Sequence, residues 1–228
     1  MLIDVEPQNY VEKTVYTDMM CAALKKKYEK LRDGIHISDV LLCPRRAVHR
    51  KLFPDLHPIT PKELNYFTSG QSMHGAISDL ALEHPGKFES DMPVLTPKYP
   101  EAHIDLYDKS ACIPIEIKTF RGKAENIPKP HNVAQLKAYM ALTDTEWGVL
   151  KYFLVMEFKQ KPFKEFWYQM TAEKRKTFRN FLQAMYLDSK KAIDAHDYKK
   201  AINVVNDPDL NWLCRDCPLK DECMGIKK

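Results

Sequence analysis

His103-Ile104-Asp105-Leu106-Tyr107 and, beyond the polar break Asp108-Lys109-Ser110, Ile113-Pro114-Ile115-Glu116-Ile117-Lys118 are two alternating runs in quick succession. Alternate side chains of a strand point to opposite faces, so Ile104 and Leu106 are predicted on one face and His103, Asp105 and Tyr107 on the other. In the second run Ile113, Ile115 and Ile117 make an apolar face and leave Glu116 and Lys118 together on the opposite one. With Asp108-Lys109-Ser110 as the turn, the runs form an antiparallel hairpin that sets Asp105 alongside Glu116. Two carboxylates and a lysine then share one patch.

An isolated Glu-x-Lys of this kind is compatible with an exposed ion pair on a half-buried strand, contributing at most about 1 kcal/mol. Neighbouring carboxylates, however, repel unless a positive charge stands between them, and hard oxygen donors suit magnesium or manganese. Such an ion polarises a phosphodiester and acidifies a bound water, while a lysine orients that water or stabilises the charge that develops. The surroundings favour this second reading. Gln135 and Tyr139 stand at i and i+4 on one face of a following helix, and His74 lies on an earlier one.

Outward from the hairpin, hydrophobic periodicity predicts a leading helix over 10–33 that stops at Asp33-Gly34. Ser38 is expected to cap a short helical turn, and Pro44 to open the helix bearing Arg45, Arg46, Arg50 and Lys51. A helix over 61–83 carries His74. Strands are expected over 87–95, 101–107, 112–119, 147–157 and 164–170, with helices over 132–143 and 172–195. One core with terminal elaborations is the simplest organisation for 228 residues. The net charge of +4 is too mild to indicate a nucleic-acid partner by itself, but Lys118, Arg121, Lys123 and Lys129 cluster beside the hairpin. No stretch is apolar enough for a membrane span or a secretory signal, so a cytoplasmic protein is expected.

Cys214, Cys217 and Cys223 stand as C-x2-C-x5-C near the C-terminus, and Cys43, beside Pro44, is the natural fourth thiolate. Reducing surroundings make ligation a better account of these thiols than disulfides, with Cys21 and Cys112 as bystanders. The spacing suits either structural zinc or an iron-sulfur cluster. Either would close a very long loop and restrict the unfolded chain by roughly 4–5 kcal/mol in an ideal model.

His74, Asp105, Glu116-Ile117-Lys118 and Gln135-x3-Tyr139 together resemble the PD-(D/E)xK nucleases in their RecB-like branch. With Cys43-Pro44 before and the three C-terminal cysteines after, residues 36–223 resemble the CRISPR-associated exonucleases of the Cas-four type. The resemblance implies an α/β (α+β) fold, with a restriction-endonuclease-like mixed sheet flanked by helices. Residues 1–35 would be a helical extension, and 36–52 and 207–228 would form a small cluster-binding region. It implies that His74, Asp105, Glu116 and the carbonyl of Ile117 ligate manganese or magnesium and that Lys118 is the catalytic lysine. Gln135 and Tyr139 would support that lysine and the DNA backbone, Cys43, Cys214, Cys217 and Cys223 would hold a 4Fe-4S cluster, and Glu89 would be a further acidic position near the site. His103 departs from the glycine that many relatives carry before the aspartate.

The activity implied is hydrolysis of single-stranded DNA or overhangs, trimming prespacers in partnership with a CRISPR integrase complex, with monomer and homo-oligomer both open. A stand-alone RecB-like repair or mobile-element nuclease is the alternative of the same chemistry. A catalytically inactive DNA-binding assembly subunit is the alternative of a different class, and intact Asp105, Glu116 and Lys118 weigh against it.

Overall fold

The computed structural model describes residues 34–155 and 163–226, together with Met19, residues 22–24 and Lys26. Strands β1 (Phe88–Val94), β2 (Ala102–Asp108), β3 (Ile113–Phe120), β4 (Trp147–Leu154) and β5 (Phe163–Gln169) form one five-stranded sheet in sequence order. All neighbours are antiparallel except β3 and β4. That parallel step requires a crossover, supplied by helix α4 (Pro130–Thr143). The other helices are α1 (Ile37–Leu41), α2 (Pro44–Leu52), α3 (Pro61–Glu83), α5 (Ala172–Asp194) and the single turn α6 (Lys220–Cys223). The fold class is thus the expected one, a mixed sheet flanked by helices.

α4 lies on β3 and β4, where Leu136 and Met140 meet Leu150, Tyr152 and Leu154 in one buried cluster. Gly148 makes this close approach possible: a Cβ there would stand 2.8 Å from both Cγ and Sδ of Met140. α5 packs on α4, and Leu182 joins Ala138, Tyr139 and Ile104 in a second cluster. Two arginines of α5 lock the junction after α4. Arg175 Nε and Arg179 Nη1 each stand 3.0 Å from Asp144 Oδ1, and Arg179 also donates to the carbonyl of Ala141 at 2.7 Å. α3 rests on β1, β2 and β3.

Burial along β2 alternates as predicted, with Ile104 and Leu106 buried and His103 exposed, but the pairing of the hairpin is short. Register between β2 and β3 runs from Asp108 opposite Ile113 to Leu106 opposite Ile115 and stops there. β3 then continues alone with β4, from Ile115 opposite Val149 to Phe120 opposite Leu154. Ile104 and Leu106, predicted to share a face, are both buried, and each joins its own apolar cluster. The turn also spans more residues than Asp108-Lys109-Ser110. Asp108 Oδ1 accepts from the Ser110 and Ala111 amides at 3.0 Å, and the chain passes through a left-handed residue, Cys112 (φ 54°), before β3 begins.

At the N-terminal side Ser38 lies within α1 rather than at its cap, because His36 takes that position and donates its amide to Asp39 Oδ2 at 2.9 Å. Pro44 opens α2 with Cys43 at the N-cap, as expected. Of the leading helix over 10–33, the described residues Met19, 22–24 and Lys26 are helical and the rest lies outside the described residues, as does Cys21. β4 ends at Leu154, and 156–162 lies outside the described residues.

Candidate functional site

Where β2 and β3 part, the carboxylate of Asp105 takes over from the ladder: its Oδ2 accepts the backbone N–H of Ile117 at 2.8 Å. That bond fixes Asp105 against β3 while β3 turns its pairing to β4, so the two carboxylates are positioned by the same divergence. Glu116 is fully buried, and Lys118 Nζ lies against its Oε1. The carboxylate is thus paired with the Lys118 ammonium and crowded by Asp105 and the Tyr139 hydroxyl. A charge buried in this way is tolerated only while it is paired. The exposed-pair reading of Glu116 and Lys118 therefore fails on burial.

The electrostatics follow from crowding. Burial, reinforced by Asp105, pushes the Glu116 carboxyl up to about 8 against the opposing pull of Lys118. Burial also raises Asp105, while Lys118 and the Ile117 amide pull it down. For Lys118 burial disfavours the ammonium, yet the two carboxylates outweigh it and hold the proton more tightly than usual. His74, on α3, has Nδ1 3.4 Å from Asp105 Oδ1. Burial lowers its pKa, Glu116 opposes that, and Lys118 adds to it.

From α4, Gln135 Nε2 donates to the Tyr139 hydroxyl at 2.7 Å. Burial and then the charges of Glu116 and Asp105 raise the Tyr139 phenol well above its ordinary value, so the hydroxyl keeps its proton beside the carboxylates. Gln135 is engaged with Tyr139 rather than directly with Lys118. Tyr152 anchors the start of the same helix, its hydroxyl accepting from the Lys129 amide at 3.0 Å and Asn132 Nδ2 at 2.8 Å. His74, Asp105, Glu116, Lys118, Gln135 and Tyr139 thus converge, with Ile117 contributing its backbone between them.

Asp91 was missed. The register that sets Met92 opposite Ile104 brings Asp91 next to Asp105, and its charge acts on both Asp105 and His74. Its side chain is exposed, and Oδ1 lies 3.1 Å from His103 Nδ1. Glu89 instead stands opposite Tyr107, further along the hairpin. The strand register, once the hairpin is drawn, is the signal that separates the two.

A second cluster lies at the joined ends of the chain. Cys43, Cys214, Cys217 and Cys223 line one cavity with Arg45, Arg46 and Val204. All four are free thiols. Burial raises the pKa of Cys43, opposed by the N–H groups of Arg46 and Val204, which point at its sulfur. Burial likewise raises Cys214, with Cys217, Cys43 and Cys223 adding to the effect. Arg45 stitches the region: Nε donates to the Ala201 carbonyl at 2.9 Å, Nη2 to that of Lys199 at 2.8 Å, and Nη1 reaches Cys223 Sγ at 3.8 Å. Cys112 is exposed on the hairpin turn, far along the chain from this set.

Both clusters offer chemically consistent donor sets. A buried carboxylate beside an aspartate and an imidazole fits a hard divalent cation, and four thiols lining one cavity fit a thiophilic metal or cluster. Among the described residues no group of three or more His, Cys, Asp or Glu side chains is already set to hold a metal ion, and in the first cluster the Lys118 ammonium supplies the compensating charge. Also among the described residues, no helix is long and apolar enough to cross a membrane.

No protein-family model and no curated protein matches the chain. Among solved structures it is similar to the crystal structure of SSO0001, at a TM-score of 0.60 and 18% identity, over 93% of this chain and 98% of that one. It is also similar to a phage related exonuclease from Haemophilus somnus 129PT, at a TM-score of 0.43 and 16% identity, over 77% of this chain and 95% of that one. The first likeness means that the fold is shared along nearly the whole of both chains.

Proposed function

We propose that the chain is a metal-dependent DNA nuclease that hydrolyses phosphodiesters in single-stranded DNA or overhangs. The observation that carries this reading is Glu116, fully buried, with its carboxyl pushed up to about 8 beside Asp105 and Lys118. A protein core tolerates such a residue where a function needs it, and strongly perturbed carboxyls gather at catalytic sites. Manganese or magnesium, held by Glu116, Asp105, His74 and the Ile117 carbonyl, would supply charge at the phosphodiester and a water of lowered pKa. Lys118 keeps its proton and is the group that orients the attacking water or offsets charge on the phosphate. Tyr139, held by Gln135, keeps a protonated hydroxyl at the carboxylates and steadies them.

The thiol cluster is read as the seat of a 4Fe-4S cluster held by Cys43, Cys214, Cys217 and Cys223. The soft donor set, the amides aimed at Cys43 and the arginine at Cys223 support that reading. The two clusters in one chain favour work in CRISPR adaptation, trimming DNA ends for an integrase complex.

The decisive experiment measures cleavage of labelled single-stranded DNA with manganese. Asp105→Ala, Glu116→Ala and Lys118→Ala should each lower activity by about a thousandfold with the fold retained. Near-wild-type cleavage by Glu116→Ala would sink the reading. Iron and acid-labile sulfide in protein purified without oxygen are expected, whereas stoichiometric zinc without sulfide would assign the thiols differently.

A further inference from the structure

Trp212, two residues before Cys214, leaves its indole 48% exposed and sets it against His131, with ring centroids 5.5 Å apart and planes at 44°. His131 opens α4, the helix that carries Gln135 and Tyr139. Burial lowers its pKa, and Lys118 and Lys129 act in the same direction, so the ring is neutral at pH 7 and within electrostatic reach of Lys118. Lys129 Nζ stands 5.7 Å from the ring centroid of Phe120, two residues past Lys118 on β3. Aromatic faces and cations therefore alternate from the thiol segment to the catalytic strand.

An indole supported on one side and open on the other is a flat apolar surface that water covers poorly. Nucleobases of single strands stack on such surfaces irrespective of sequence, and the intervening phosphates are drawn to lysines. A duplex keeps its base faces inside its own stack and has none to offer.

We propose that Trp212 and His131 form a stacking seat for one base of a single-stranded nucleic acid whose backbone passes Lys129 toward Lys118. The proposal rests on the nuclease reading and deepens it by naming what makes the substrate single-stranded. Trp212 and His131 are positioning residues. Because Trp212 sits on the segment that carries Cys214, the thiol site has a part in holding substrate as well as in holding the chain ends together.

The test is equilibrium binding of an end-labelled thymidine oligonucleotide to the full-length protein, purified without oxygen, with no divalent ion added, followed by turnover with manganese. Trp212→Ala should weaken binding about tenfold or more and leave its salt dependence unchanged, because stacking releases no counterions. Trp212→Phe should restore most of the affinity. His131→Ala should weaken binding severalfold with iron content unchanged, which separates loss of the seat from loss of the thiol segment. An abasic scan of the oligonucleotide should find one position where wild-type affinity drops to that of Trp212→Ala and the variant is indifferent. In turnover the change should fall on KM rather than kcat. If the wild type binds and cleaves single strands and Trp212→Ala and His131→Ala do the same equally well, the seat is wrong and the nuclease reading stands. A wild type that neither binds nor cleaves single strands overturns both.

Discussion

Glu116 sits in a strand paired with β4 from Ile115 to Phe120, whereas Cys214, Cys217 and Cys223 sit among short turns, Cys214 and Cys223 each ending a four-residue helical turn. Around Glu116 the scaffold is complete without any ion: strand register, the Asp105 bond to Ile117 and the packing of α4 fix the side chains. What is crowded there is charge, two carboxylates about one ammonium. Around the cysteines burial raises the Cys43 and Cys214 thiols, and what is incomplete is the scaffold, which depends on Arg45 and a few backbone bonds to return the C-terminal segment to α2. A metal would therefore relieve electrostatic frustration in one place and complete the fold in the other.

The largest effect expected from this contrast is on stability at the thiol site. Cys43→Ala or Cys217→Ala should remove the bound metal and cost up to roughly 4–5 kcal/mol, the loop-closure limit. For a chain of this size that lowers Tm by on the order of 10 °C. Glu116→Ala should lower it less, because it leaves the Lys118 ammonium without its nearest partner but keeps the strand pairing and helix packing around it. Calorimetry of the three variants breaks the comparison if the Glu116 variant is the least stable.

A smaller and opposite signature is expected from pH. In the unfolded chain Glu116 loses its proton near the ordinary glutamate value, while in the folded chain it holds it up to about 8. Between those values the folded state binds more protons, so stability of the ion-free protein should fall as pH rises from about 5 to about 8, by up to roughly 4 kcal/mol. Glu116→Gln should remove most of that slope and leave the remainder due to Asp105, which shifts the same way. Added manganese should invert it, because the ion competes with the proton and stabilises more at higher pH. A flat profile in the wild type would mean that Glu116 is not held protonated.

Legibility in the sequence divides along the same line. The hairpin, α4 and the convergence of Asp105, Glu116, Lys118, Gln135 and Tyr139 could be read because periods of 2 and 3.6 residues assign faces. What periodicity could not give was the parting of β2 from β3 at Leu106, which sends Ile104 and Leu106 into different clusters and turns the Asp105 side chain into a substitute for a ladder bond. Such a departure depends on which strand β3 pairs with next, a non-local choice. Asp91 escaped for the same reason, since only the β1–β2 register separates it from Glu89. At the thiol site the four cysteines were legible by type and spacing, but the approach of Trp212 to His131 was not, because no local pattern links residues on a turn and a helix so far apart.

The smallest effect tests whether the carboxylate site is as self-contained as its scaffold suggests. Tyr139 is 3% exposed and its hydroxyl accepts from Gln135 while standing beside Glu116 and Asp105. Tyr139→Phe leaves the ring packed with Ala138 and Leu182 but strips Gln135 of its partner, for a loss of about 1 kcal/mol. Cleavage should fall severalfold, with iron content and the affinity of Trp212 for single strands unchanged, because nothing in this pair touches the thiol segment. Gln135→Ala should do similar damage, and the double variant should be about as impaired as either single one, since each removes the same bond. Fully additive losses would mean that the two residues act on the carboxylates separately, and a loss of iron in Tyr139→Phe would mean that the two regions are mechanically one.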